Sequence, residues 1–280
     1  MSGDKKSIIQ PNGLVYGHSE CRYLDETLPV LTKVLALDII ERRDREAVLR
    51  HPNTGWKLIV HEGGAAAKDK PERNHYGVRV ATNNEADNAY RYLLANKQNL
   101  GLKKVVKRRE RAGSYSMFFV EPGGNYWEIE SYENRHKAGL PEDVAYPWKT
   151  KLTEEKLPGC GYIPQALTHG TIECTNLAAS IVITHVPSIK PHDIKHPLTP
   201  WYVVSLEIPA KNKHDLTPLQ RYTISVPSAS ALLSAHRELT GRRDKFGITS
   251  IEPISETLDG PSFLLSDLDR NWWEIAVLKN

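Results

Sequence analysis

Cysteine is scarce, with only Cys21, Cys160 and Cys174 in 280 residues. The number is odd, the three are scattered, and no pair has the CxxC spacing. Nothing therefore points to a disulfide framework or a cysteine-built metal site, and free thiols in a reducing compartment are expected. Long apolar runs are missing too. The leader MSGDKKSIIQPNG has no apolar h-region, and no window approaches a membrane span, so a soluble, cytoplasmic protein without a membrane partner is expected. Charge of one sign is likewise lacking. The net charge is +3 and the longest like-charge block is Lys107-Arg108-Arg109, which reads as a solvated edge and gives no argument for nucleic acid. A chain this long buries roughly 75% of its unfolded surface and needs no staples.

What is present is a repeated pattern. In EPGGNYWEIE (Glu121 to Glu130) a turn signal runs straight into an alternation with period two. Trp127 and Ile129 face a core, while Tyr126, Glu128 and Glu130 face the other way. Near the C-terminus SDLDRNWWEIA (Ser266 to Ala276) repeats the Asn-aromatic-Trp-Glu-Ile order. His18 then answers to His169, His75 to Arg221 and Glu128 to Glu274.

The elements follow the same repeat. A strand over 14–23, a helix over 28–38 and short strands near 40–43, 47–50 and 56–61 make one β-α-β-β-β series. A second series has a strand over 75–81, a helix over 85–98 with Asn83 or Asn84 as N-cap, and strands at 104–109, 115–120 and 126–130. The second half restarts at 167–175, has a short or missing helix after Leu177, and carries a Pro/His/Lys-rich stretch, Pro187 to Pro200, with His192 and His196. His185 and His214 flank that stretch; the four histidines could supply ligands, but a solvated loop is the expected setting. A strand over 201–208 leads to a regular last unit: strand 221–226, helix 228–239, and strands ending at 272–277. The expected class is α+β, with four βαβββ units in two tandem domains, each a curved mixed sheet around a cavity with helices outside. Residues 12–134 form the first domain, 135–163 a linker and 164–280 the second.

Residues two apart on a strand share a face. His18 lies on the polar face of the first strand, His75 on that of the strand opening the second unit, and Glu128 on that of the last. Two imidazoles and one carboxylate from three strands match the facial triad of a non-haem Fe(II) site. A lone strand histidine is more often a hydrogen-bonded core residue, so the argument rests on joint placement.

The repeated units, the Gly17-His18 and Asn74-His75 starts and the ending Glu121-Pro122-Gly123-Gly124-Asn125-Tyr126-Trp127-Glu128 resemble the vicinal oxygen chelate superfamily. That superfamily includes glyoxalases, bleomycin-resistance and fosfomycin-resistance proteins and extradiol dioxygenases. The resemblance covers nearly the whole chain, weakening between Leu177 and Pro200. It implies that His18, His75 and Glu128 hold a divalent metal in the first domain, Fe(II) first, with Mn(II) or another divalent ion as alternatives. Glyoxalase I adds a fourth ligand, a Glu, where Lys57 stands here, so three ligands favour a ring-cleaving extradiol-type dioxygenase. Its substrates would be dioxygen and a catechol-like or hydroquinone-like aromatic. The acid/base histidine and tyrosine of that signature fall on Glu110, or its arginine neighbours, and on Phe118. Tyr115, Tyr126, His61 and Arg79 are therefore the candidates for proton transfer and substrate binding. A glyoxalase-like lyase or isomerase, and a metal-free small-molecule binding protein, are the alternative readings. In the second domain Arg221 replaces a ligand, so that domain is expected to be structural. Homo-oligomers through strand edges are an expectation by analogy with the fold.

Overall fold

The computed structural model describes residues 9, 11–54, 56–111, 113–134, 157–177, 193–195 and 202–279. Most of the expected linker lies outside the described residues, as do His185, His192 and His196. In chain order the elements are β1 (Gly13–Cys21), α1 (Leu24–Leu35), β2 (Asp38–Arg42), β3 (Glu46–Arg50), β4 (Lys57–Glu62), β5 (His75–Arg79), α2 (Asn83–Ala95), β6 (Lys104–Arg111), β7 (Ser114–Val120) and β8 (Tyr126–Ser131). They continue with β9 (Ala166–Cys174), β10 (Asp193–Lys195), β11 (Tyr202–Glu207), β12 (Arg221–Ser225), α3 (Ala229–Gly241), β13 (Ser250–Ile251), β14 (Ser255–Thr257), β15 (Gly260–Ser266) and β16 (Trp272–Ala276). The class is α+β, and the β-α-β-β-β series recurs over β1 to β4 and β5 to β8; the stretch after Leu177, where the helix was expected to be short or missing, lies outside the described residues. Helix α1 starts four residues before its expected first residue and carries Pro29 inside it. Burial of Leu24, Leu28, Leu31, Val34 and Leu35 along one stripe offsets the lost backbone donor.

Two compact units emerge. One, the middle unit, is Ser19–Gly170; the other, the split unit, joins Met1–His18 to Thr171–Asn280. Each boundary falls inside a strand, β1 or β9, whereas the halves expected from the repeat were contiguous.

In the middle unit β5 runs parallel to β8 and antiparallel to the first part of β9, and β7 continues antiparallel between β8 and β6. Strands β2, β3 and β4 form an antiparallel ladder. Helix α2 packs over β6, β7 and β8. Its N-cap is Thr82, not the expected Asn83 or Asn84, because Thr82 and Glu85 close a reciprocal capping box. The alternation read from the sequence holds on β8: Trp127 and Ile129 enter the core with Met117 and Phe119.

The split unit repeats the plan. β12 runs parallel to β16 and antiparallel to the start of β1, and β15 lies antiparallel to β16. Helix α3 is N-capped by Ser228, whose hydroxyl accepts from Ala231 N at 3.2 Å. Trp273, Ile275, Phe263 and Leu265 are its buried strand residues.

Both last strands are entered through the same turn. The Glu121 carboxylate accepts from the backbone N–H of Gly123 and Asn125, from the Asn125 side-chain amide and from the Thr27 hydroxyl. Asp267 does the same for Asp269, Asn271 and the Trp273 indole. Each turn needs a left-handed residue, Gly124 at φ 102° and Arg270 at φ 58°. These acids fix where Glu128 and Glu274 begin their strands.

Candidate metal centre

Strand register brings three side chains of the middle unit together. On parallel β5 and β8, His75 lies opposite Tyr126 and Gly77 opposite Glu128. On antiparallel β9, His169 lies opposite Gly77. His75 Nε2 is 3.1 Å from Glu128 Oε2, His169 Nε2 is 3.0 Å from the same oxygen, and the two Nε2 atoms are 3.4 Å apart. Among the described residues this is the one group of three or more His, Cys, Asp or Glu able to share an ion. Gly77 makes it possible. A Cβ there would stand 2.6 Å from His169 Nε2 and 2.7 Å from Nδ1, inside the ring's own volume.

The far side of each imidazole decides what faces the centre. His75 Nδ1 lies 2.6 Å from the Glu72 carbonyl oxygen, which can only accept. His169 Nδ1 faces Glu130 Oε1 at 3.3 Å and Thr168 Oγ1 at 3.2 Å. With both Nδ1 atoms donating, each neutral ring turns the Nε2 lone pair inward. Two lone pairs and a carboxylate oxygen then crowd together with all three residues buried. Three acceptors at these separations repel unless a cation or proton sits among them. Burial pulls the His169 pKa down, but Glu130 and Glu128 outweigh it and carry it up to about 10. Burial pushes Glu128 up, yet hydrogen bonds to His169 and His75 and their charge hold it well below the carboxylate range. A divalent ion meets the same need: bonds of about 2.1 Å at right angles put adjacent donors about 3.0 Å apart. The donor set and its spacing fit such an ion.

Searches against protein-family models and against curated proteins found no match. Solved structures do match. A presumed dioxygenase from Bacillus subtilis superposes with a TM-score of 0.62 at 12% identity, over 97% of this chain and 87% of that one. A variant of glyoxalase I from Zea mays gives 0.61 at 11% identity, over 95% and 92%. The cppA protein from Streptococcus pneumoniae gives 0.53 at 10% identity, over 96% and 100%. The chain has the vicinal oxygen chelate fold.

Within that fold the structure brings His75 and Glu128 together as the repeat implied, but their third partner is His169. His18 lies in the split unit instead. Its Nε2 is 2.9 Å from Thr223 Oγ1 and 3.4 Å from Glu274 Oε2. Arg221 donates from Nε to that same oxygen at 2.9 Å, Thr223 donates to it at 2.9 Å, and Ser262 donates to Oε1 at 2.8 Å. The guanidinium is thus the cation on this carboxylate. The registers also differ: β1 sets Tyr16 opposite Thr223, where β9 sets His169 opposite Gly77. In this pair of units the residue matching His169 by strand position is Tyr16, not His18.

The candidates for proton transfer scatter. Tyr126 shares the Glu128 face of β8, half-buried, and its hydroxyl accepts from Lys104 Nζ at 3.3 Å. Arg79 shares the His75 face of β5, but it is buried and spent on Glu130 at 2.8 Å. Tyr115 lies on the other face of its sheet and donates to Asp87 of α2 at 2.7 Å, so it is not at the centre. His61 pairs with Glu46 across β3 and β4, Nδ1 to Oε2 3.1 Å, away from the three ligands in its strand ladder. His214 pairs with the buried Glu173.

Proposed function

We propose that the chain is a divalent-metal enzyme for substrates that chelate through adjacent oxygens, and within that class an extradiol-type dioxygenase. Its metal would be Fe(II), held by His75, Glu128 and His169, and its substrate a catechol-like or hydroquinone-like aromatic cleaved with dioxygen. One observation carries the reading: two imidazole nitrogens and one carboxylate oxygen converge within 3.4 Å, with no fourth ligand in the group among the described residues. Three protein donors leave coordination positions for both substrates. When bound, the ion supplies Lewis acidity that lowers the pKa of the substrate hydroxyls.

The chain's own residues do the rest. Glu128 offsets one of the two charges. The Glu72 carbonyl fixes the tautomer of His75, and Phe118 stands edge-on to that ring at 5.2 Å as an apolar wall. Tyr126, whose hydroxyl accepts from Lys104, would donate to a substrate oxygen at the rim.

Anaerobic purification, elemental analysis and oxygen uptake over a catechol panel test the proposal. One equivalent of iron and substrate-dependent oxygen consumption are expected. Turnover of an oxygen-chelating substrate without oxygen, supported by Zn(II) or another non-redox metal, would support the lyase or isomerase reading instead.

A further inference from the structure

Beside the three candidate ligands lies a buried ion pair that their chemistry leaves unused. Glu130 is only 2% exposed and Arg79 5%. Arg79 donates to Glu130 Oε1 from Nη2 at 2.8 Å and from Nε at 3.3 Å, and its guanidinium lies 4.1 Å over the Tyr132 ring. A buried ion pair is weak evidence of stabilisation, since two charges have left water to form it. This one has a second attachment. The same Oε1 lies 3.3 Å from His169 Nδ1 and 3.4 Å from Thr168 Oγ1, while Ser114 donates to Oε2 at 3.4 Å. Glu130 and Glu128 stand two residues apart on one face of β8, so one strand presents an acid to each side of the His169 ring.

We infer that Glu130 is a positioning residue of the metal centre, whose carboxylate holds the His169 ring with Nδ1 protonated and Nε2 turned to the ion. Arg79 and Ser114 hold the carboxylate in turn. This assignment rests on the metal-centre reading above. Outer carboxylates of this kind set ring orientation and raise the donor strength of the ligand nitrogen. Gln in place of Glu130 keeps the shape but can turn an N–H toward Nδ1, removing the acceptor. It also leaves the Arg79 guanidinium without its counter-charge, so a second variant is needed that keeps the site neutral.

Co(II), titrated into the metal-free full chain and followed by its visible absorption, reads stoichiometry, affinity and ligand field together. Wild type is expected to take up one equivalent. Glu130→Gln and the double variant Arg79→Met with Glu130→Gln are both expected to bind one equivalent about 10–100-fold more weakly, with a shifted absorption band. A purely structural role would lower the melting temperature and leave the band unmoved. Affinity within twofold of wild type and an unchanged band in the double variant would overturn the assignment. So would recovery of affinity in the double variant alone, which would blame the unpaired guanidinium. If wild type itself takes up no Co(II), the metal-centre reading fails and this assignment fails with it.

Discussion

At Gly77 the backbone of β5 runs so close to the His169 imidazole that a methyl group has no room. Gly77→Ala should therefore displace the ring without touching a ligand. Metal affinity should fall by more than the ~100-fold that loss of an outer partner costs, with the circular dichroism of the folded protein retained. The two candidate histidines separate just as sharply. His169→Ala should abolish metal uptake, whereas His18→Ala should leave the dissociation constant within about twofold, because His18 serves Thr223 and Glu274. Metal titration of the two variants side by side reads both outcomes. The thiols, by contrast, should be silent. All three cysteines are buried, and burial pushes Cys21 up to about 12. Alkylation at pH 8 should wait for unfolding.

Among elements, the turns before β8 and β16 and the register of β1 and β9 decide where ligands arrive. Replacing Glu121 by Ala would strand several buried donors at once and should cost about 3–5 kcal/mol in chemical denaturation. In the split unit, Arg221→Met would leave the buried Glu274 without its cation and should cost about 3 kcal/mol; adding Glu274→Gln should recover most of it. The four-unit succession was legible because alternation, caps and turn residues are local signals. So was the pairing of His75 with Glu128, since β5 and β8 belong to one repeat. The third member of the group, His169, was not. β1 and β9 carry nearly the same pattern, with His18 and His169 each next to a glycine, and spacing along a chain does not say which strand a strand pairs with. The one available hint was Gly77, which has Thr223 at the matching position of the other half. Tyr115 sits on β7 with Met117 and Phe119 on the helix side, opposite Phe118.

For the molecule as a whole, two units share one plan and divide its charges differently. The middle unit leaves a place for a divalent ion, and the split unit fills the matching neighbourhood with Arg221. One metal per chain, not two, is therefore the expected stoichiometry by elemental analysis of the fully loaded protein. Among the described residues no helix is long and apolar enough to cross a membrane. The split unit also bears on how the polypeptide is made. His18 and its partner Thr223 are 205 positions apart. At ordinary ribosomal speed, roughly 10–40 s separate the emergence of the opening strand from that of its neighbour. During that interval the nascent chain carries an unmatched edge, a window in which a chaperone or a neighbouring ribosome's product competes for it.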